Sequence, residues 1–486
     1  MVKSKEIIMD ILIVNPPIRL NDKPRHIPHG LAILANIIRK HNKINIKFID
    51  WNAHRYSEKK FIDIVKDYSC QIALIGGLIS TYKYLIKISG IIKQHHPLCK
   101  IIAGGSAAMS IPETILDNST IDIVCTGEGE KTILTLLDCF KYDQNPDLSS
   151  IKGIAYKHEE SIIINPPETF IQDIDTESSL PAYDLLPMEI YLSNPAVGIG
   201  RDIDFISSRG CPYECTFCYQ PWGKKYRKHS VDFLKDAVLY LRKNYKIEFI
   251  SFQDDLFIAD RKRLFEFCEL RDKFFPEIYW SCTGRANICD ETIIKTIRNS
   301  GCTAVSYGFE SASSKILKSM NKKITLDQME TVVQLNRKYG FPIPVSFILG
   351  MPGEDEESCQ QTINFCIKNN LTLDSLMFAT PYPGTYLFEY ALNTGRILKN
   401  QIHDFVLKIG DARDFIINLT DFFTDEQLIN KFTEMQTITK KAYKPASKKE
   451  MHSKILSLYG HLANKFFDLS AEDNKHKSKH GASNLF

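Results

Sequence analysis

No uninterrupted apolar stretch in the 486 residues approaches the ~18 needed to cross a bilayer as a helix. A helical membrane protein is therefore not expected. Charge bias is missing as well: 61 Lys and Arg stand against 58 Asp and Glu, a net +3. Such a balance creates no field for holding a polyanion, so nucleic acid is not indicated as a partner. The first ten residues put Lys3 and Lys5 before a short apolar run but have neither the length nor the small-residue cleavage site of a signal peptide. A cytoplasmic protein is the expectation. Paired cysteines are also scarce. Of the 13 cysteines, all but three stand singly in apolar or helical contexts and read as reduced, buried small hydrophobes.

The three exceptions form Cys211-Pro212-Tyr213-Glu214-Cys215-Thr216-Phe217-Cys218, a CxxxCxxC stretch following a short apolar strand and the turn Arg209-Gly210. Tetrahedral zinc usually takes paired CxxC units or CxxC with histidines, and no matching second pair lies nearby. Three thiolates can instead hold an iron-sulfur cluster while leaving one iron without a protein ligand, open to a substrate or cofactor.

At this length two to three domains are expected. Up to about residue 144, strand and helix signals alternate: apolar strands at 10–15, 44–50, 72–76, 100–103 and 121–125 are separated by helical periodicity. Five strands with intervening helices predict a doubly wound sheet, Rossmann-like or flavodoxin-like, whose ligands sit beyond the carboxyl ends of the strands. Those ends carry Asn15-Pro16-Pro17, Gly76-Gly77 running on to Ser80-Thr81, Gly104-Gly105-Ser106 and Thr126-Gly127-Glu128-Gly129-Glu130. Glycines there either admit a bulky flat ligand or simply make tight turns, and their gathering at one edge favours a ligand. Residues 145–198, rich in proline, predict a β-hairpin and an extended linker.

From 199 to 395 the alternation resumes. Strands are expected at 203–207, 248–252, 278–282, 304–310, 344–349 and 375–379, and six strand-helix units imply a barrel or partial barrel of parallel strands. Polar residues collect at their carboxyl ends: Asp254 and Asp255, Arg285, Ser306 and Glu310, Gly350-Met351-Pro352-Gly353-Glu354 and Pro381-Tyr382-Pro383-Gly384-Thr385. Asp255 or Asp260 also reads as a helix N-cap. Residues 396–486 read as helical and aromatic-rich, either shaping a pocket or simply forming core, with a polar tail over 472–480 expected to be disordered.

CxxxCxxC with an aromatic, Phe217, before the third cysteine, at the head of such a barrel, resembles the radical S-adenosylmethionine superfamily. With the Gly-Gly-Ser and Thr-Gly-Glu-Gly-Glu loops upstream and Gly-Met-Pro-Gly-Glu downstream, residues 11–395 resemble more narrowly its cobalamin-binding enzymes. The resemblance implies an α/β chain in which a cobalamin-binding Rossmann-like domain precedes a partial (β/α)6 TIM-type radical barrel and a helical C-terminal region. It also implies a [4Fe-4S] cluster on Cys211, Cys215 and Cys218, with S-adenosylmethionine near Phe217, Arg285, Ser306 and Glu310. Each of these four has a structural alternative, an ion pair for Arg285 or Glu310 and a filled barrel mouth for Phe217. Cobalamin is implied at Ser80, Thr81, Gly104, Gly105, Ser106 and Glu128. One family device is absent: Asp50-Trp51-Asn52-Ala53-His54 stands where DxHxxG would supply a histidine below cobalt, so cobalamin either binds without it or has been lost. The expected activity is a cobalamin-dependent radical methyltransferase acting on a carbon or phosphorus centre of a small molecule or peptide, with a flavodoxin- or ferredoxin-type reductase. An oxidoreductive cyclase using the same cofactors, and a sensor without turnover, are the alternatives.

Overall fold

The computed structural model describes residues 9–465, apart from 21, 41–43, 144, 196–198 and 411. The polar tail over 472–480 expected to be disordered lies outside the described residues. The chain divides into two compact units.

The first unit is built on strands β1 (Met9–Asn15), β2 (Ile44–Asp50), β3 (Ile72–Gly76), β4 (Lys100–Gly104), β5 (Ile123–Cys125), β6 (Ile154–His158) and β7 (Ser161–Ile164), in the order β2-β1-β3-β4-β5-β6-β7. The first five are parallel, the doubly wound order 2-1-3-4-5 whose switch point falls between β1 and β3. Ile11 to Val14 are wholly buried, as a strand covered on both faces must be, and this is why β1 reads as a continuous apolar run. The hairpin β6–β7 is not a free connector. It pairs antiparallel onto the three-residue β5, covering an edge that would otherwise expose unpaired backbone groups.

Residues Tyr219–Gly223 and Tyr382–Asp411 also belong to this unit, so it draws on segments expected within the barrel and the C-terminal region. Two of its contacts show why. The Tyr82 hydroxyl lies 2.8 Å from His403 Nδ1, and a Cβ on Gly384 would come within 2.7 Å of the Tyr219 ring.

The second unit holds β8 (Asp202–Phe205), the short antiparallel pair β9 (Ser208–Arg209) and β10 (Arg227–Lys228), then β11 (Phe249–Phe252), β12 (Tyr279–Gly284), β13 (Cys302–Glu310), β14 (Val345–Leu349) and β15 (Leu376–Phe378). Its main sheet runs β15-β14-β13-β12-β11-β8, each strand parallel to its neighbour. Side-chain caps start the intervening helices: Ser230, Asp260, Asp290, Thr325 and Asp355 each accept a backbone N–H of the first turn. The N-cap is thus Asp260, and Asp255 is left for another role. At the β15 edge the Phe378 N–H donates to the Ala412 carbonyl at 2.7 Å. Phe432 stacks on the Phe378 ring with centroids 4.4 Å apart, so the C-terminal region closes the edge of an incomplete barrel.

Candidate cofactor sites

In the second unit, the cysteine loop is fastened before it starts. Asp254, 2% exposed at the end of β11, accepts from the Ser207 N–H and hydroxyl, both at 2.5 Å, and from the Ser208 N–H at 3.1 Å. Arg263 crosses the same turn, donating to the Ser207 carbonyl at 3.0 Å and the His229 carbonyl at 2.9 Å. Burial pushes the Asp254 carboxyl up, and Arg263 and the serine donors oppose that push. A carboxylate so committed holds the strand that leads into the loop.

Within the loop, the Thr216 N–H donates to the Met320 carbonyl at 3.0 Å, and Asn321 Nδ2 donates to the Glu214 carbonyl at 2.8 Å. Cys215 is buried, Cys211 half-buried and Cys218 open to solvent on one side. The three thiols stand close enough to feel one another. Surrounding protein, then the charges of Cys215, Asp255 and Cys211, push the Cys218 thiol up to about 12, while Lys322 opposes. Cys211 is raised by burial, with Asp255 and Cys215 adding and Arg285 opposing.

Three neighbouring thiolates are therefore unfavourable together without a cation among them, and an iron-sulfur cluster fits that donor set. Among the described residues no three His, Cys, Asp or Glu side chains converge as ligands of a single metal ion do. A cubane spreads its thiolates over different irons, whereas one zinc gathers them at ~2.3 Å from a shared centre.

The other residues expected near S-adenosylmethionine fall into two groups. Arg285, just past β12, sets Nη1 3.7 Å from Cys215 Sγ and its guanidinium 3.7 Å from the centroid of the Tyr213 ring. Glu310 instead pairs with Lys322 at 2.8 Å, both side chains 8% exposed, and Lys322 Nζ lies 5.6 Å from the Phe217 ring centroid. Glu310 thus carries the structural ion pair that the sequence left open. Ser306 is half-buried on β13, in register with Thr283 of β12. Tyr213, Lys322 and Asn287, whose Nδ2 donates to the Tyr213 hydroxyl at 2.9 Å, escaped the sequence reading. Tyr213 stood inside the motif in plain view, but nothing in the spacing announced its Arg285 partner.

In the first unit, the glycines at the carboxyl edge serve different ends. Gly105 has φ +89°, and a Cβ there would lie 2.6 Å from the Gly77 carbonyl oxygen; its own backbone requires it. Gly104 and Gly127 differ, for a Cβ on either meets nothing within 4 Å. Neither strain nor packing demands glycine there, and the space beside each is open. Ser106 opens a short helix, Ser106–Ser110, and its carbonyl accepts from the Tyr219 hydroxyl at 3.4 Å. Ser80 is half-buried. Thr81 is buried and donates its hydroxyl to the Leu78 carbonyl at 2.8 Å. Glu128 has one oxygen committed to the Ile171 N–H at 2.9 Å, a contact that ties the β5 loop to the segment after the hairpin.

Where DxHxxG would stand, Asp50 instead caps the following short helix and accepts from Asn15 Nδ2 at 2.8 Å and the Tyr191 hydroxyl at 2.6 Å.

The B12 binding domain model matches residues 17–137 and the radical SAM superfamily model residues 205–366. An uncharacterized methyltransferase of Pyrococcus horikoshii is 33% identical over 398 residues, covering 80% of this chain and 85% of that protein. The chain belongs to the cobalamin-binding radical S-adenosylmethionine family. An anaerobic magnesium-protoporphyrin IX monomethyl ester cyclase of Rubrivivax gelatinosus is 25% identical over 80% of this chain and 70% of its own length. Among solved structures, the radical S-adenosylmethionine methyltransferase TsrM from Kitasatospora setae superposes with a TM-score of 0.69 at 14% identity, covering 97% of this chain and 100% of that one, and agrees with it in fold. As a member of the family the chain is a radical S-adenosylmethionine enzyme, with a [4Fe-4S] cluster, S-adenosylmethionine and cobalamin as cofactors. Among the described residues no helix is long and apolar enough to cross a membrane.

Proposed function

We propose that the protein is a cobalamin-dependent radical methyltransferase in which Cys211, Cys215 and Cys218 carry the cluster. The supporting observation is the loop itself: three mutually sensed thiols on a segment pinned by Asp254, Met320 and Asn321, with Arg285 beside Cys215. When bound, the cluster supplies the electron that splits S-adenosylmethionine to a hydrogen-abstracting radical, and cobalamin carries the methyl group to be transferred.

The chain's own residues bind and shield. The thiolates of Cys211, Cys215 and Cys218 would hold the cluster and leave it open to the cosubstrate. Phe217 lies within the cysteine loop, with Lys322 Nζ 5.6 Å from its ring centroid and Lys322 paired to Glu310, and would border the cosubstrate. Arg285, just past β12, and Ser306, on the neighbouring strand β13, are further polar groups. In the first unit, Gly104 and Gly127 leave room for the corrin, with Gly105 and Ser106 shaping the turn and Ser80, Thr81 and Glu128 bordering it.

Anaerobic turnover with each candidate small molecule or peptide tests this reading. Methyl transfer yields both S-adenosylhomocysteine and 5′-deoxyadenosine; deoxyadenosine alone would overturn it. That second outcome favours the oxidoreductive cyclase reading, which the Rubrivivax relative supports. A flavodoxin- or ferredoxin-type reductase as electron source and a cytoplasmic setting complete the proposal.

A further inference from the structure

Lys322 and Arg285 are buried cations beside the cysteine loop, and their charges are disposed differently. Lys322 is already matched, with Nζ 2.8 Å from Glu310 Oε1. Arg285, 6% exposed, is not: its Nε and Nη2 have no partner among the described residues. What it does touch is the cysteine loop. Nη1 donates toward Cys215 Sγ at 3.7 Å, and the guanidinium lies flat against Tyr213 at 3.7 Å from the ring centroid. Tyr213 is held in turn by Asn287 Nδ2 at 2.9 Å. A buried cation with free donors calls for an anion facing it, and the anion-forming group it touches is the Cys215 thiol.

We infer that Arg285 is a positioning residue for the cluster: its N–H to the Cys215 sulfur and its uncompensated charge favour the reduced state and set the reduction potential. This rests on the reading of the three cysteines as cluster ligands. Reduction adds one electron, taken from an external one-electron donor, and neither makes nor breaks a bond in the protein. The added negative charge is stabilised by a fixed cation at contact distance, and hydrogen bonds to cluster sulfurs raise the potential in the same direction. The Tyr213 ring, with Asn287 behind it, keeps the guanidinium from swinging away.

The test is an EPR-monitored redox titration, with dithionite as donor, of the reconstituted full-length wild type, R285K, R285M and Y213L. It is run without S-adenosylmethionine so that any role of Arg285 towards that cosubstrate does not enter. R285M should be about tenfold harder to reduce, a midpoint ~59 mV more negative for a one-electron couple. R285K should recover most of the difference, and Y213L should shift in the same direction by less. Equal midpoints for wild type and R285M at equal iron content overturn the inference, as does a positive shift. Should R285M lose iron, R285K and Y213L decide: a wild-type midpoint in Y213L overturns it equally. A wild type that assembles no iron-sulfur chromophore removes the cluster reading beneath it, an outcome distinct from an intact cluster with an unmoved potential.

Discussion

Glu354 closes the Gly350-Met351-Pro352-Gly353-Glu354 turn after β14 by folding its carboxylate back onto the chain. One oxygen accepts from the Gly350 N–H at 2.6 Å and the Met351 N–H at 3.1 Å. The side chain is 2% exposed, and burial lifts its pKa from 4.5 to about 7 against those two donors, with Asp355 adding and Lys315 opposing. The pH dependence follows from the sign. Below 4.5 the acid is protonated in both folded and unfolded states and contributes no difference. Between 4.5 and about 7 the unfolded chain releases the proton while the folded one keeps it. Stability therefore falls as pH rises through that window, and the whole penalty, about 3 kcal/mol, is present above it. E354Q keeps a carbonyl for the two N–H groups and stays neutral. Urea unfolding from pH 5 to pH 8 should show the wild type losing about 2.5 kcal/mol more than E354Q across the range. Parallel profiles for the two proteins would refute the reasoning, because they would mean that the folded carboxyl titrates as it does in the unfolded chain.

Cys215→Ala should reduce reconstituted iron from about four atoms per chain to background and abolish the brown chromophore, read by iron and sulfide analysis. Asp254→Ala removes the acceptor of the Ser207 and Ser208 N–H groups; a loss of roughly 1–3 kcal/mol in urea unfolding, together with poor cluster retention, is expected, and wild-type values for both would contradict its assigned role. G104L and G127L should leave the thermal midpoint near that of the wild type, since a Cβ at either position meets nothing within 4 Å, yet weaken hydroxocobalamin binding at least tenfold by spectroscopic titration. Unchanged binding would leave the open space without a role. Phe432→Ala takes away the half-buried ring stacked on Phe378 and should cost roughly 2 kcal/mol, measured as a lower urea midpoint of the apoprotein.

The contrast between Arg285 and Glu310 shows how far the sequence could be read and where it stopped. Strands β1, β3 and β4 were legible because a parallel strand covered on both faces must be apolar throughout, and Ile11–Val14 and Ile72–Ile75 obey that without a polar interruption. The cysteine spacing was legible because ligand geometry constrains it locally. Arg285 and Glu310, by contrast, were equivalent on paper: charged residues at the ends of neighbouring strands, each able to meet a ligand or a countercharge. What separates them is Lys322, 12 residues beyond Glu310. It reaches Glu310 from the segment whose Met320 carbonyl and Asn321 side chain also fasten the cysteine loop.

No periodicity encodes that return of the chain, just as none assigns Tyr382–Asp411 to the first unit or sends the Glu128 carboxylate to Ile171. In each case a short-range reading identified the right kind of side chain, and a long-range contact decided whether its charge was free. The distinction is physical, because a buried charge with a partner stabilises a fold whereas one without a partner is tolerated only where something binds it. By that criterion Glu310 already has its countercharge in Lys322, whereas Arg285 Nε and Nη2 have no partner among the described residues.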